Sequence, residues 1–212
     1  MAKEAYELEA FLRQLERVKD AETLADQARD LASKLKVAQI LEITPKIELP
    51  GGVKTETLTF KTGSKADILK LFDDRKIRIS SYAQDLIDQI DPVKFTDRDP
   101  MQLIWVSGRD LGITKSARYR QFVEAGQAKG YNLVSPEVGL YLRLQDINQP
   151  LNDWYWMAME PMTDRCDNPS VFGLAHYGDG FWLNAPWARP DDLWSPGLRL
   201  VFSLPASETQ KS

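Results

Sequence analysis

Residues 180–202 read Gly180-Phe-Trp-Leu-Asn-Ala-Pro-Trp-Ala-Arg-Pro-Asp-Asp-Leu-Trp-Ser-Pro-Gly-Leu-Arg-Leu-Val-Phe202. The two ends of this stretch are alike and its middle differs. Gly180-Phe-Trp-Leu and Leu198-Arg-Leu-Val-Phe-Ser-Leu are short apolar runs of strand type. Between them Pro186, Pro190 and Pro196 keep the chain out of a regular strand or helix. The interrupted part still carries two tryptophans, Trp187 and Trp194. A long aromatic loop between two strands is more often functional than ordinary.

Upstream, the pattern is one of more short strands. Trp154-Tyr-Trp-Met-Ala-Met and Phe172-Gly-Leu read as strands, and Leu103-Ile-Trp-Val as a buried one. From Val138 to Leu144, apolar residues fall at every second position, which predicts a strand with Val138, Leu140, Leu142 and Leu144 on one side. Val53–Phe60 alternates around three threonines and also reads as a strand; Ile77-Arg-Ile-Ser is a shorter one. Helices are expected after Ser64 and after Ser80 or Ser81, each serine being a good N-cap, and from Thr114 to Lys129, with Gly130 placed to end it. Asp91-Pro92 stops the second of these. Helices early and strands late argue for an α+β fold rather than alternating β-α units.

Residues 1–43 read as a separate helical segment. Leu8, Phe11, Leu12, Leu15 and Val18 form one apolar stripe, and Leu24, Ala28, Leu31 and Leu35 a second. Such stripes suit either packing on the rest of the chain or a short coil that joins copies into a homo-oligomer. The prolines and glycines of residues 44–52 end this segment, which places an α+β domain at 44–212.

Composition narrows the function classes. The 212 residues include 27 Lys and Arg against 31 Asp and Glu, a net charge of −4, so a broad nucleic-acid binder is not expected. No stretch is long and apolar enough to be a spanning helix, and the first residues lack the apolar core of a secretion signal, so the chain is expected to be cytoplasmic at synthesis. One Cys and one His leave little material for a metal site or thiol chemistry, and no cofactor is expected. His176 reads as a turn residue without a catalytic partner. The acids flanking Cys166 disfavour its thiolate. Asp164, Asp167 and Asn168 offer oxygen ligands, but their spacing is not that of an EF-hand loop. The carboxylate pairs Asp73-Asp74, Asp97 with Asp99, and Asp191-Asp192 read as solvated surface acids.

The last quarter is unusual. Five of the six tryptophans lie between residues 154 and 194, and no lysine occurs from Gly130 until Lys211. Aromatic, small and short polar side chains are the palette of recognition surfaces. Trp156 and Trp182 are expected to serve the core, while Trp187 or Trp194 is expected at the surface.

The 180–202 stretch, together with Ser135-Pro-Glu-Val-Gly-Leu-Tyr-Leu-Arg-Leu and Ala158-Met-Glu-Pro-Met-Thr-Asp, resembles the C-terminal region of the variable proteins of diversity-generating retroelements. The resemblance covers residues 130–205. It implies a C-type lectin-like fold and a terminal surface varied by adenine-directed mutagenesis to bind other molecules. Asparagine-type template codons cannot yield Lys, Glu, Gln or Met, and Asn184–Leu198 contains none of these. By this resemblance Asn184, Ala185, Ala188, Arg189, Asp191, Asp192, Leu193, Ser195 and Gly197 would be variable. Trp182, Trp194, Arg199 and Phe202 would be framework, and Trp187 a fixed residue that touches the ligand. The chain lacks the disulfides of animal C-type lectins and their Glu-Pro-Asn sugar-and-calcium motif. A binding protein with a diversified surface is therefore the first expectation, its ligand an unknown protein or glycan. A fixed carbohydrate-binding module is the second. A hydrolase using a carboxylate such as Glu137 or Glu160 is the third.

Overall fold

The computed structural model describes residues 49, 51–61, 63–96 and 98–205. The chain divides after Lys46, and the described residues belong to the second unit, Ile47–Ser212. The stripes expected within residues 1–43 lie outside the described residues.

The strand Lys54–Leu58 (β1) leads to the helix Lys65–Asp74 (α1), the short strand Arg78–Ile79 (β2) and the helix Ser81–Gln89 (α2). Both helices begin at the serines that sequence marks. The Ser64 hydroxyl accepts from the Asp67 N–H while the Asp67 carboxylate accepts from Ser64, a reciprocal capping box. Ser80 accepts from Ala83. A single 3-10 turn, Pro92–Lys94, follows α2. Then come the strand Met101–Ser107 (β3), the two-residue strand Ala117–Arg118 (β4) and the helix Tyr119–Ala128 (α3). Sequence extends this helix back to Thr114. The structure starts it at Tyr119, because Ala117 and Arg118 pair antiparallel with Trp194 and Leu193. Gly130, at a φ of 84°, follows its end.

Glu137–Gln145 is a helix (α4), not the strand its alternation predicts. Residues from Glu137 to Leu144 are all buried, on every side of the helix. A helix enclosed all round shows no polar face, so its period of 3.6 vanishes and an accidental period of two remains. Arg143, 1% exposed, is the residue that made the alternation look real. Its guanidinium donates to the Gln149 side chain and the Asp146 carbonyl and lies over the Phe181 ring at 4.4 Å.

Short strands complete the domain: Asp153–Met157 (β5), Met162–Thr163 (β6), Pro169–Ser170 (β7), Gly173–Tyr177 (β8), Gly180–Asn184 (β9), Leu193–Trp194 (β10) and Arg199–Ser203 (β11). The main sheet has seven strands in the order β1-β3-β11-β5-β8-β9-β2. Pairing is antiparallel except between β11 and β5 and between β2 and β9. The fold is thus mixed α and β, with four α-helices among the described residues and a mostly antiparallel sheet. None of these helices is long and apolar enough to cross a membrane.

How the helices cover the sheet decides where a site can form. On one face Trp105, Tyr155, Met157, Leu174 and Leu183 are buried, and α4 packs against β1, β8 and β9. On the other face, α3 lies over β11. Gly126 permits the contact: a Cβ there would fall 2.4 Å from the Phe202 ring. Trp194 continues this cover, with its ring 4.8 Å from Tyr119 and 3.9 Å from Trp156. Beyond β5, no helix among the described residues lies across this second face of β8 and β9.

Candidate functional site

The uncovered sheet face forms an open trough of about 700 Å³. Side chains alternate along a strand, so Trp154 and Trp156 of β5, Gly173, Ala175 and Tyr177 of β8, and Trp182 and Asn184 of β9 share this face. Register sets them in rows. Trp154 pairs with Ala175, which pairs with Trp182; Trp156 pairs with Gly173, which pairs with Asn184. Small residues on the middle strand therefore make a floor between larger residues on the outer two. Trp156 leans over this floor: a Cβ on Gly173 would lie 2.9 Å from Trp156 Cδ1 and 3.0 Å from Pro186 Cδ. Tyr82 of α2 and Pro186 line the trough as well.

Each wall is braced. The Trp182 indole N–H donates to Asp179 at 2.9 Å, and Asp179 also pairs with Arg78, which lies over the same indole. The α2 wall is tied to the 164–168 turn by Arg165, whose guanidinium grips the Asp85 carboxylate at 2.6–3.0 Å. These hydrogen bonds hold Asp85 below its ordinary pKa. From behind, Arg143 supports Phe181. Tyr155 donates to buried Asp146, which also receives Lys54. Burial, reinforced by Asp146, pushes the Tyr155 hydroxyl well above the ordinary tyrosine range.

The loop after β9 is fixed at a few points. Trp187 bridges to Ser170, and its indole N–H donates to Asp164 at 3.0 Å. Asp164 is buried and accepts also from the Cys166 and Asn168 N–H groups and the Ser170 hydroxyl. Burial by itself would raise its pKa, but these donors outweigh it and hold the carboxylate below the usual value. Arg189 donates to Asn168 and lies over the exposed face of Trp187 at 3.8 Å. Beyond this stack a second hollow of about 640 Å³ opens, lined among others by Arg118, Arg120, Glu124, Glu160 and Arg189.

The residues singled out from sequence are distributed unevenly. Trp187 is 40% exposed and Trp194 only 5%. Asn184, Arg189, Asp191, Asp192, Leu193, Ser195 and Gly197 reach the surface, whereas Ala185 and Ala188 are buried. Asn184 and Ala185 line the trough, Ala188 and Arg189 the second hollow, so the candidates do not form one patch. Phe202 is buried, and Arg199 pairs with Asp153 and donates to the Trp154 carbonyl. Trp182 is half-buried and forms a trough wall, where a core position was expected; Trp156 is half-buried at the floor. His176 is not in a turn: it belongs to β8, with Nδ1 donating to the Gln149 carbonyl at 2.7 Å and its ring against Phe181. Cys166 is exposed. Among the described residues, no cluster of three or more His, Cys, Asp or Glu side chains could hold a metal ion. Of the acid pairs, Asp74 binds Lys70, Asp191 lies 3.7 Å from Arg118, and Asp97 falls outside the described residues. Glu137 is fully buried and accepts from Arg98 and Ser135, while Glu160 is exposed beside the second hollow.

No family model matches the chain. Compared with family models, curated proteins and solved structures, it returned no match. The site must be read from its own residues. Sequence reasoning missed Trp154 and Tyr177 as site residues. The signals available were the Trp154–Trp156 spacing of two and the small pair Gly173 and Ala175, but the register that assembles them is a property of the sheet.

Proposed function

We propose that this protein is a binding module rather than an enzyme, and that it displays a diversified C-terminal surface on a C-type lectin-like scaffold. The observation that carries the reading is the alternation between anchors and free side chains along residues 183–200. Leu183, Ala185, Ala188, Trp194, Leu198 and Leu200 are buried. Between them Arg189, Asp191, Asp192, Leu193, Ser195 and Gly197 reach solvent. Backbone conformation is thereby separated from side-chain identity, which is what a surface must have if its residues are to be exchanged without unfolding the domain. The early helices, the late short strands and the long irregular connection from β9 to β11 support the scaffold assignment.

Recognition would be an equilibrium process, with the Trp187–Arg189 stack as an anchor of hot-spot type. The only imidazole donates from Nδ1 to the Gln149 carbonyl and packs on Phe181, and among the described residues no Ser, Thr or Cys side chain is hydrogen-bonded to it, which favours binding over nucleophilic catalysis.

The test is variation at the encoding locus. Deep sequencing of the C-terminal codons in the source population should show substitutions concentrated at Asn184, Arg189, Asp191, Asp192, Leu193, Ser195 and Gly197, beside a near-duplicate template. The buried Ala185 and Ala188 should vary little. An invariant loop with no template nearby would sink the diversified reading.

A further inference from the structure

We propose that the trough over β5, β8 and β9 is a binding site for neutral oligosaccharides. The inference goes beyond the diversified loop, since Trp154 and Tyr177 lie outside residues 184–198.

Three observations select the ligand. The first is shape. Adjacent strands lie about 4.8 Å apart, so Trp154 and Trp182, one on either side of Ala175, rise from backbones about 10 Å apart. Along β5 the Trp154 and Trp156 rings follow one another at 6.0 Å between centroids. Indoles spaced along a trough offer consecutive stacking platforms, comparable with the spacing of neighbouring rings in a saccharide chain. The C–H faces of a pyranose are apolar and slightly positive, and they complement the negative face of an indole.

The second observation is charge. Asp179 is the only ionisable acid or base among the described residues lining the trough, apart from tyrosine, and Arg78 neutralises it. Among the described residues that line the trough there is no free cation for a phosphate, a carboxylate or a nucleic-acid backbone, and no free carboxylate for a basic peptide.

The third observation is unused hydrogen-bonding capacity. The Asn184 amide and the Tyr82 and Tyr177 hydroxyls make no hydrogen bond within the described residues, and all three line the trough. Together they offer both donors and acceptors, which suits vicinal hydroxyls. Trp154 is 45% exposed and Tyr177 42%, although burying either would be favourable. A ligand with one apolar face and a hydroxylated rim would cover the rings and satisfy these polar groups together. The bracing of Trp182 by Asp179 and Arg78 lowers the ordering cost of binding.

The experiment uses the full chain and its tryptophan fluorescence. Neutral hexasaccharides, α-linked and β-linked glucans, mannans and chitin fragments, are titrated singly, with sulfated and uronic-acid saccharides and a polybasic peptide alongside. At least one neutral hexasaccharide should give saturable quenching, bind more tightly than its monosaccharide, and change little between low and high salt. Trp154→Ala should weaken it by roughly tenfold or more, while Trp154→Phe should restore most of the affinity. Because Trp154 is exposed, the Ala variant should keep the parent circular dichroism, and Asn184→Ala gives a second reading at the rim. Absence of saturable quenching by any neutral saccharide up to roughly 10 mM, well above the concentrations of useful recognition, overturns the proposal. So does salt-sensitive binding of only the charged probes, or a twofold or smaller effect of Trp154→Ala. An invariant locus with saccharide binding intact would remove the diversified reading and leave this one.

Discussion

The sheet face and the loop beside it use similar side chains but hold them differently. Over β5, β8 and β9, each aromatic occupies a fixed row because backbone pairing sets its neighbours. Trp154 faces Ala175, and Ala175 faces Trp182. In the loop from Ala185 to Leu198, the regular pairing consists of Leu193 and Trp194 with Arg118 and Ala117, plus a bridge from Trp187 to Ser170. Position there is set by a few anchors, chiefly Trp194 in the core and Asp164 beneath Trp187. A sheet face suits a site whose geometry must stay constant. An anchored loop suits one whose side chains can change.

The sharpest way to break this contrast is Trp194→Ala. Its ring packs against Tyr119, Phe122 and Trp156. The substitution should cost about 3–5 kcal/mol, read by denaturant unfolding. It should also expose the 186–196 segment to proteolysis before the rest of the domain. Uniform cleavage across the domain would show that loop and sheet are not independently held.

Gly173→Ala tests the sheet side. The added Cβ has no room beside Trp156 and Pro186, and the cost should be about 1–3 kcal/mol. Thermal unfolding should show the loss, and Trp156 should shift into the trough. An unchanged midpoint would mean that the floor is not closely packed.

Acid should separate the two regions further. The Asp164 pKa is depressed in the folded protein, so its contribution is complete above the ordinary aspartate value of about 3.9 and is lost as pH falls through the lower folded value. Trp187 emission should therefore stay constant from neutrality to about pH 4 and change only below it. Asp164→Asn should abolish that transition and cost about 1–3 kcal/mol.

The smallest effects should come from the exposed loop. Asp191→Ala, Leu193→Ser and Ser195→Asp should each fall within about 0.5 kcal/mol of the parent. The 3.7 Å pair of Asp191 with Arg118 is exposed on both sides and worth little. A loss above about 1.5 kcal/mol from any of the three would mean that the free side chains are structural after all.

Much of the framework was legible. Ser64 and Ser80 announce their helices through capping chemistry that acts within four residues. The strands containing Leu103–Val106, Trp154–Met157 and Leu200–Phe202 announce themselves by composition. Features that depend on distant partners were not legible. α4 reads as a strand because Arg143 is buried among groups from β8, β9 and the 146–149 segment, and sequence assigns it to solvent. Trp182 reads as core because its neighbours are strand formers, yet among the described residues no helix lies across its face, and α2 reaches only the rim through Tyr82. Residues 1–43 contribute nothing to this comparison, since they lie outside the described residues.

The two ends of the sheet carry a consequence for how molecules of this protein meet. Among the described residues the sheet stops beside the trough at β2, two residues long, and at the opposite end β1 turns Lys54, Thr55, Glu56 and Thr57 to solvent, with Lys54 and Glu56 paired at 3.1 Å. A longer, flatter and more apolar margin would offer its unpaired N–H and C=O groups to the next molecule and seed a growing stack. One margin here is too short to template a strand and the other is guarded by charge. Although it exposes indoles, this sheet should not fibrillise when concentrated, and any self-association through it should proceed by side chains and dissolve on dilution.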